Sequence, residues 1–582
     1  MKKFSTVLAL ISFLFILIYS CSKEDQTFSG SSGNTVRTTI SGMVLDENNT
    51  AVANVNITAY SQTTTTNQYG VFVLKDISVN KERCIVQFSK AGYFNRAHAF
   101  IASANTVNYV RVVLISNAQT HTVDAATGGT AALANGSSVQ FAPNSFVTTT
   151  GSAYTGTVSL TVKHLSPDAA NFGFMIPGGD LAGENINGED VILYPYGMMG
   201  VELKGSSGEA LQLAAGTTAT LTMPIVASQQ ATAPATIPLW YFDEETSLWK
   251  EEGAATRVGN NYTGTVSHFT WWNCDGWTVN PLIKGKVVDC NGVPVPNCVV
   301  TINGWATTLT NQNGEYQGLV PGALAFTVQV LASNNSWLIF NSQIENVPPL
   351  SANQIFIVPD LVIPCPTRVV GTLRTCAGEN TDGIVIISST GFSNYQYTQD
   401  GSFNLISIPN TQLGLSALNS NSSIQQIITS LSAPNILNLG NLFLCDEAAN
   451  SFIINGCGFN YQLFNFDSIG FTGSANSNLI TMSGTAPPDY TISAFQMYLN
   501  ANLNVGSYLW SNSASPLSIT VQNTSQTFYI TGSQAGGGIT NITQYDSVGG
   551  RVKGYYSGSG WVSNCLFDTI TITGSFDVLR TQ

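Results

Sequence analysis

The sequence predicts an all-β, multidomain chain: tandem β-sandwiches, at least three of one kind, accompanied by two other β-rich domains. Three observations carry this expectation. Charged residues make up only 9% of the 582-residue chain, while glycine numbers 53 and aromatic residues reach 10%. That composition is too apolar for disorder and rich in turn formers. A short alternating motif returns three times at nearly constant spacing, and the segments between its landmarks alternate apolar with polar residues, the period of a half-buried strand. Length alone calls for several domains, because single cores stop growing at about 250–300 residues.

Taken in chain order, Lys2 and Lys3 precede an apolar run from Phe4 to Tyr19, which ends at Ser20-Cys21. The run is short and early for a membrane span and reads as a signal-peptide core over residues 1–20. Ile18-Tyr19-Ser20-Cys21 resembles the bacterial lipobox, which implies that Cys21 is acylated and becomes the mature first residue. Each buried acyl methylene contributes about 0.8 kcal/mol, so several chains on one cysteine hold firmly. The alternative is an ordinary secretory signal with a chance cysteine. Cys21-Ser22-Lys23-Glu24-Asp25 resembles the export signal of Bacteroidota surface lipoproteins. The resemblance implies an outer-membrane, lipid-anchored chain exposed at the cell surface. Residues 21–36, with Ser-Gly-Ser-Ser-Gly, read as a flexible tether.

The repeat comes next. Ile40-Ser-Gly42-Met-Val44-Leu-Asp46 aligns without gaps with Ile283-Lys-Gly285-Lys-Val287-Val-Asp289 and with Val369-Val-Gly371-Thr-Leu373-Arg-Thr375. A second landmark glycine follows in Thr66-Asn-Gln-Tyr-Gly70-Val-Phe72, Thr310-Asn-Gln-Asn-Gly314-Glu-Tyr316 and Thr398-Gln-Asp-Gly401-Ser-Phe403, at distances of 28, 29 and 30 residues from the first. Residues before these glycines favour tight turns, and the aromatic two residues later falls on the buried face of the next strand. The motifs resemble the carboxypeptidase regulatory-like domain, of the transthyretin-like and carbohydrate-binding-like fold group. That resemblance implies seven-stranded sandwiches over 37–115, 276–364 and 365–445, serving as non-catalytic companions.

Residues 116–275 interrupt the repeat. Val139-Gln-Phe141-Ala-Pro143, a strictly alternating run from Tyr154 to Val162, Leu239-Trp-Tyr-Phe-Asp-Glu244 and His268-Phe269-Thr270 make this segment resemble the β-rich domain of netrin receptors, ankyrins and zonula occludens proteins. Some relatives of that domain cleave themselves inside a His-Phe-Ser sequence, so the resemblance raises cleavage at Phe269-Thr270 with His268 as base and Thr270 as nucleophile. A structural histidine in a closing strand is the competing reading. Trp240, Tyr241, Trp249, Trp271 and Trp272 are candidate stacking platforms for sugar rings, but alternating aromatics more often fill a sandwich core, and these fall on both faces of their strands. Asp243, Glu244, Glu245, Glu251 and Glu252 read as a solvated hairpin, without glycosidase spacing or a calcium-loop pattern.

Ten cysteines occur, eight of them in residues 274–565. Disulfides suit an exported chain. Cys274 with Cys290, Cys365 with Cys376 and Cys445 with Cys457 straddle domain entrances and are the favoured pairs. Cys290 with Cys298 competes, and Cys565 completes the set without an assigned partner. Residues 446–582 alternate between Gly, Ser and Asn turns and predict a C-terminal antiparallel β-domain, similar to C-terminal modules of Bacteroidota lipoproteins.

The net charge of -13, with no Lys/Arg stripe, excludes nucleic acid as an expected partner. Four histidines, His98, His121, His164 and His268, stand outside any metal-ligand spacing, so neither metal nor cofactor is expected. The expected function is therefore non-catalytic: adhesion, or binding of a glycan or protein, at the cell surface. A structural envelope scaffold or stalk is the alternative.

Overall fold

A computed structural model describes residues 34–444, except 170, 303–305, 331–340, 376–378, 390–391, 420–422, 431 and 433. Beyond 450 it describes mainly the strands of a last β-domain. The described chain is all-β, with many separate sheets and one helix of 4 residues, Phe172–Met175. The proposed leader, Cys21 and tether residues 22–33 lie outside the described residues; residues 35 and 36, expected in the tether, instead open the first strand, Thr35–Asp46, where they pair with Val71–Asn80.

Each repeat copy is a sandwich of a three-stranded and a four-stranded sheet. In the first copy Thr35–Asp46 lies between Val71–Asn80 and Val107–Leu114, facing a sheet of Gln62–Thr65, Asn56–Ala59, Cys84–Ser89 and Arg96–Phe100. The third copy has the same 3 + 4 plan. In the second copy the last strand is broken into Ile355–Ile357 and Leu361–Ile363, both parallel to Leu282–Asp289.

Both landmark glycines have a structural cause that recurs in every copy. Gly42, Gly285 and Gly371 sit directly opposite Phe72, Tyr316 and Phe403 in the antiparallel register. The aromatic side chain crowds the glycine, where a Cβ would come within 2.3, 2.4 and 2.5 Å of its nearest atom. Only glycine leaves room for the ring. The second glycines adopt φ of 71°, 74° and 86°, a region costly for side chains. Their carbonyls accept from Val44, Val287 and Leu373 at 2.8 Å, two residues after the first landmark. The motif's threonine also has a fixed task. Thr66 Oγ1 donates to the Val52 carbonyl at 2.7 Å and accepts from Val55 N, and Thr310 repeats this with Val295 and Cys298.

In the middle domain, strands Asp190–Lys204, Trp271–Thr278, Thr236–Asp243 and Leu248–Val258 pair in that order. Ala182–Glu184 then pairs with the first and the last of them and closes a ring. This sheet runs to Thr278, slightly past the expected boundary at 275. The C-terminal strands also close on themselves. Ile570–Arg580 meets Thr472–Ala475 at its C-terminal end and Arg551–Val562 along its other edge, and the path between them returns through Thr527–Gly532. Closure leaves those strands without an open edge.

The domains pack against one another rather than following in a line. One apolar cluster joins Met43, Leu45, Tyr109 and Val113 of the first sandwich to Ile386, Tyr395 and Tyr397 of the third. Around it Tyr69 Oη meets Ser416 Oγ at 2.8 Å, Gln399 Nε2 donates to Thr39 Oγ1 at 2.8 Å, and Lys75 pairs with Asp382. The second sandwich touches the first through Gln312 N donating to the Val107 carbonyl.

Candidate functional site

The five aromatics singled out from the sequence are mostly core. Trp240, Trp249 and Trp272 are 0% exposed and Trp271 is 4% exposed. A sugar platform needs an open ring face, so these four tryptophans offer none, and only the half-buried Tyr241 reaches the surface. The cause is that the strand Trp271–Thr278 is covered on both sides. Trp272 enters the middle domain's main core. Trp271, Trp240 and Trp249 fill a second core beneath the closing strand, and Phe94 of the first sandwich packs on Trp271 at 5.1 Å.

His268, Phe269 and Thr270 are adjacent in sequence but not arranged for proton transfer. His268 Nε2 faces Glu252 at 3.5 Å, its ring stands edge-on to Tyr241, and its carbonyl accepts from Trp272 Nε1 at 2.9 Å. Thr270 Oγ1 instead donates to the Trp271 carbonyl at 3.1 Å. Both groups are engaged locally, in the bend between the strands Asn261–Val266 and Trp271–Thr278. The acidic residues are likewise spent locally: Asp243 caps the turn at Glu245 and Thr246, Glu251 accepts from Ile186 N, and Glu252 accepts from Ser267. Among the described residues no three His, Cys, Asp or Glu side chains converge as a metal site.

One cysteine expectation is overturned. Cys290 is bonded to Cys365 across 75 residues with Cα atoms 5.0 Å apart, and Cys274 and Cys298 are free and buried. This excludes Cys274–Cys290, Cys290–Cys298 and Cys365–Cys376 together. The parallel pairing of Leu361–Ile363 with Val287–Asp289 is the reason, since it brings the end of the second sandwich beside the end of its first strand. Cys376, Cys445, Cys457 and Cys565 lie outside the described residues.

What the sequence reading missed is a set of buried arginines at the domain junctions. Arg83 reaches Asp180 Oδ2 at 2.7 Å and the Ser247 carbonyl. Arg96 donates to the carbonyls of Phe174 and Met175, which end the short helix. Arg111 lies over the Phe174 ring at 5.1 Å. All three leave the first sandwich and grip the middle-domain segment 172–180 or its neighbour. Burial lowers the pKa of both Arg96 and Arg111 to about 9. At the next junction Arg368 of the third sandwich binds Asp289 Oδ2 of the second at 2.8 Å, and both side chains are buried. A signal existed: the chain holds only 21 Lys and Arg, yet Arg111 and Arg368 stand beside the apolar runs Val112-Val113-Leu114 and Val369-Val370 of predicted strands.

No protein-family model and no curated protein matches the chain. Among solved structures, a streptococcal ancillary pilin is 10% identical, covering 38% of this chain and 98% of that one, with a TM-score of 0.14. The shaft pilin SpaA of Lactobacillus rhamnosus GG is 11% identical, over 29% and 98%, with a TM-score of 0.15. BcpA, the major pilin subunit of Bacillus cereus, is 9% identical, over 71% and 100%, with a TM-score of 0.12. Overlaps this loose transfer neither domain order nor activity to this chain.

One buried acid stands apart from the junctions. Asp275 is 0% exposed, accepts from Tyr196 N at 3.1 Å and from the Asn273 amide, and burial holds its carboxyl well above the usual range. A raised folded pKa means that its stabilising contribution is complete below the unfolded value and is lost as pH rises through the folded one. Asp275→Asn keeps the shape and removes that loss. Thermal melts are expected to show the variant equal to the parent near pH 3 and increasingly more stable above it, by about 1.4 kcal/mol for each unit of the shift. Parallel pH profiles would refute this account.

Proposed function

We propose that this chain is a non-catalytic envelope scaffold, anchored by lipid at Cys21 and exposed at the cell surface, which holds a closed C-terminal β-domain on a compact multidomain body. The observation that carries it is the interlocking of the domains between residues 35 and 444 through buried arginines and a shared apolar cluster. Interfaces of that kind fix mutual orientation, whereas modules that merely follow one another swing freely. Burial of the tryptophans weighs against the glycan reading and in favour of the scaffold. The disulfide supports an oxidising compartment. No helix among the described residues is long and apolar enough to cross a membrane; the lipid anchor rests on the lipobox-like Ile18-Tyr19-Ser20-Cys21.

The test combines a glycan panel with cross-linking in intact cells. The soluble 22–582 fragment is expected to retain no glycan, while the anchored chain cross-links to a discrete envelope protein at the cell surface. Cys21→Ala should release the chain from the membrane fraction and abolish that adduct. A glycan retained at micromolar affinity would overturn the scaffold assignment, and membrane retention of Cys21→Ala would overturn the anchor.

A further inference from the structure

We infer that the second sandwich binds a small zwitterion of the α-amino acid class, in a groove on its three-stranded sheet beside the first sandwich. The three copies of the module are controls for one another. Over the first landmark glycine the first and third copies place Phe72 and Phe403, and the second places Tyr316. Packing against glycine does not require the hydroxyl. Tyr316 is 3% exposed, and its hydroxyl has no hydrogen-bond partner, which costs stability unless something bonds it.

Two further departures fall at the same place. The residues flanking that glycine are Ser41 and Met43 in the first copy and Val370 and Thr372 in the third, but Lys284 and Lys286 in the second. The last strand is a single strand as Val107–Leu114 and as Ile436–Phe443. In the second copy it stops at Ile357 and resumes at Leu361, so Gly285 and Lys286 face a gap. Lys284, Lys286, Tyr316, Ile357 and Asp360 line one groove of about 400 Å³, which Ser103 of the first sandwich also borders. Small-molecule sites favour domain junctions and hold about 300–1,000 Å³. The Tyr316 hydroxyl is aimed into the groove: its oxygen is the atom nearest to where a Cβ on Gly285 would lie, at 2.4 Å, and Gly285 lines the groove.

The free charges there are of both signs, and they select the head group. Lys284 and Lys286 lie two residues apart on one face of their strand, half-buried and without an ion-pair partner among the described residues. Asp360 precedes Leu361 as Lys286 precedes its partner Val287, and the Asp360 carboxylate is exposed and unpaired among the described residues. Glu315, also in the lining, already accepts from Asn311 Nδ2 at 3.1 Å. Burial, then Glu345 and Asp360, raise the pKa of Tyr316, so its hydroxyl stays neutral in an acidic corner that suits an ammonium group. A plain anion would meet Asp360, and a plain cation the two lysines. A zwitterion satisfies all of them, its carboxylate on the lysines and its ammonium between Asp360 and the Tyr316 hydroxyl, through charge-assisted hydrogen bonds. Ile357, 67% exposed, offers an apolar wall to the side chain.

Calorimetric titration of the full chain at pH 7 with leucine and phenylalanine, against their amides and their N-acetyl derivatives, tests this independently of any scaffold role. At least one free amino acid is expected to bind about tenfold or more tighter than either blocked form, the ratio that one charge-assisted hydrogen bond supplies. Tyr316→Phe installs the residue type that the other two copies carry. It should fold with an unchanged or higher melting temperature, yet bind the amino acid severalfold more weakly. Lys284→Gln with Lys286→Gln should erase the preference over the amide, and Asp360→Asn the preference over the N-acetyl form. No binding by either amino acid, equal binding of a blocked form, or unchanged affinity in a folded Tyr316→Phe protein would each overturn the site.

Discussion

Arg368→Ala is expected to destabilise the junction of the second and third sandwiches by about 3–5 kcal/mol, because removing one partner of a buried pair leaves the other charge uncompensated. Arg368 and Asp289 are 6% and 3% exposed, and Arg368 also donates to Asn404 Oδ1 at 3.0 Å. Burial alone would raise the Asp289 carboxyl. The hydrogen bonds from Arg368 and from the Val293 and Asn291 amides outweigh burial and hold it below the usual carboxylate range. A depressed folded pKa gives stability that is complete above the unfolded value, near pH 4, and lost as pH falls through the folded one. Denaturant titrations at pH 7 and pH 3 should therefore show a large loss for Arg368→Ala at neutral pH and a smaller one in acid. The pair Asp289→Asn with Arg368→Met, which removes both charges, should recover most of the neutral-pH loss. If the single and double variants prove equally unstable at both pH values, the ion pair is not what holds this junction.

How much of this was legible in the sequence differs by level. Each sandwich was readable because its signature lies within one module: Gly42 with Phe72 and Gly285 with Tyr316 are cross-strand pairs joined by a short excursion through the facing sheet, so near-constant spacing preserves them. The aromatics of residues 240–272 were ambiguous for a physical reason. A strand with bulky residues on both faces is equally a strand between two cores and a strand with one face offered to a ligand. The answer lay in Ala182–Glu184 and in Phe94, which cover the second face from distant parts of the chain. The disulfide was misread because equal positions in an alignment suggested equal partners. Pairing depends instead on which strand end returns beside Cys290, a property of the parallel last strand. The folded-back arrangement left one readable trace. In the third copy Ile384-Val385-Ile386-Ile387 and the tyrosines at 395 and 397 are apolar on both faces. Val385 and Ile387 fill that sandwich's own core, and Ile386 the contact with the first copy. A strand buried on both sides within a two-layer domain implies a third layer from elsewhere.

Removing the Cys290–Cys365 bond is expected to cost about 4 kcal/mol. In the chain-entropy account, a cross-link stabilises by restricting the unfolded chain in proportion to the logarithm of the loop closed, and this one closes 75 residues, nearly the whole second sandwich. That account places the loss in the unfolded state, so Cys290→Ser with Cys365→Ser should leave the neighbouring Asp289–Arg368 pair in place and lower the unfolding midpoint of the second sandwich. Reduction of the parent protein should reproduce the shift. The two staples of this junction act on opposite states, one on the folded contacts and one on the unfolded ensemble, so their losses should add in the triple variant Arg368→Ala, Cys290→Ser, Cys365→Ser. A loss well short of additive would show that the disulfide works by positioning Arg368 against Asp289. Peptide mapping without reduction supplies the covalent check: one linked pair containing Cys290 and Cys365, with Cys84, Cys274 and Cys298 alkylated only after denaturation. Those three thiols are buried, and burial raises their pKa, Cys298 to about 12, so almost no thiolate exists to react in the folded chain.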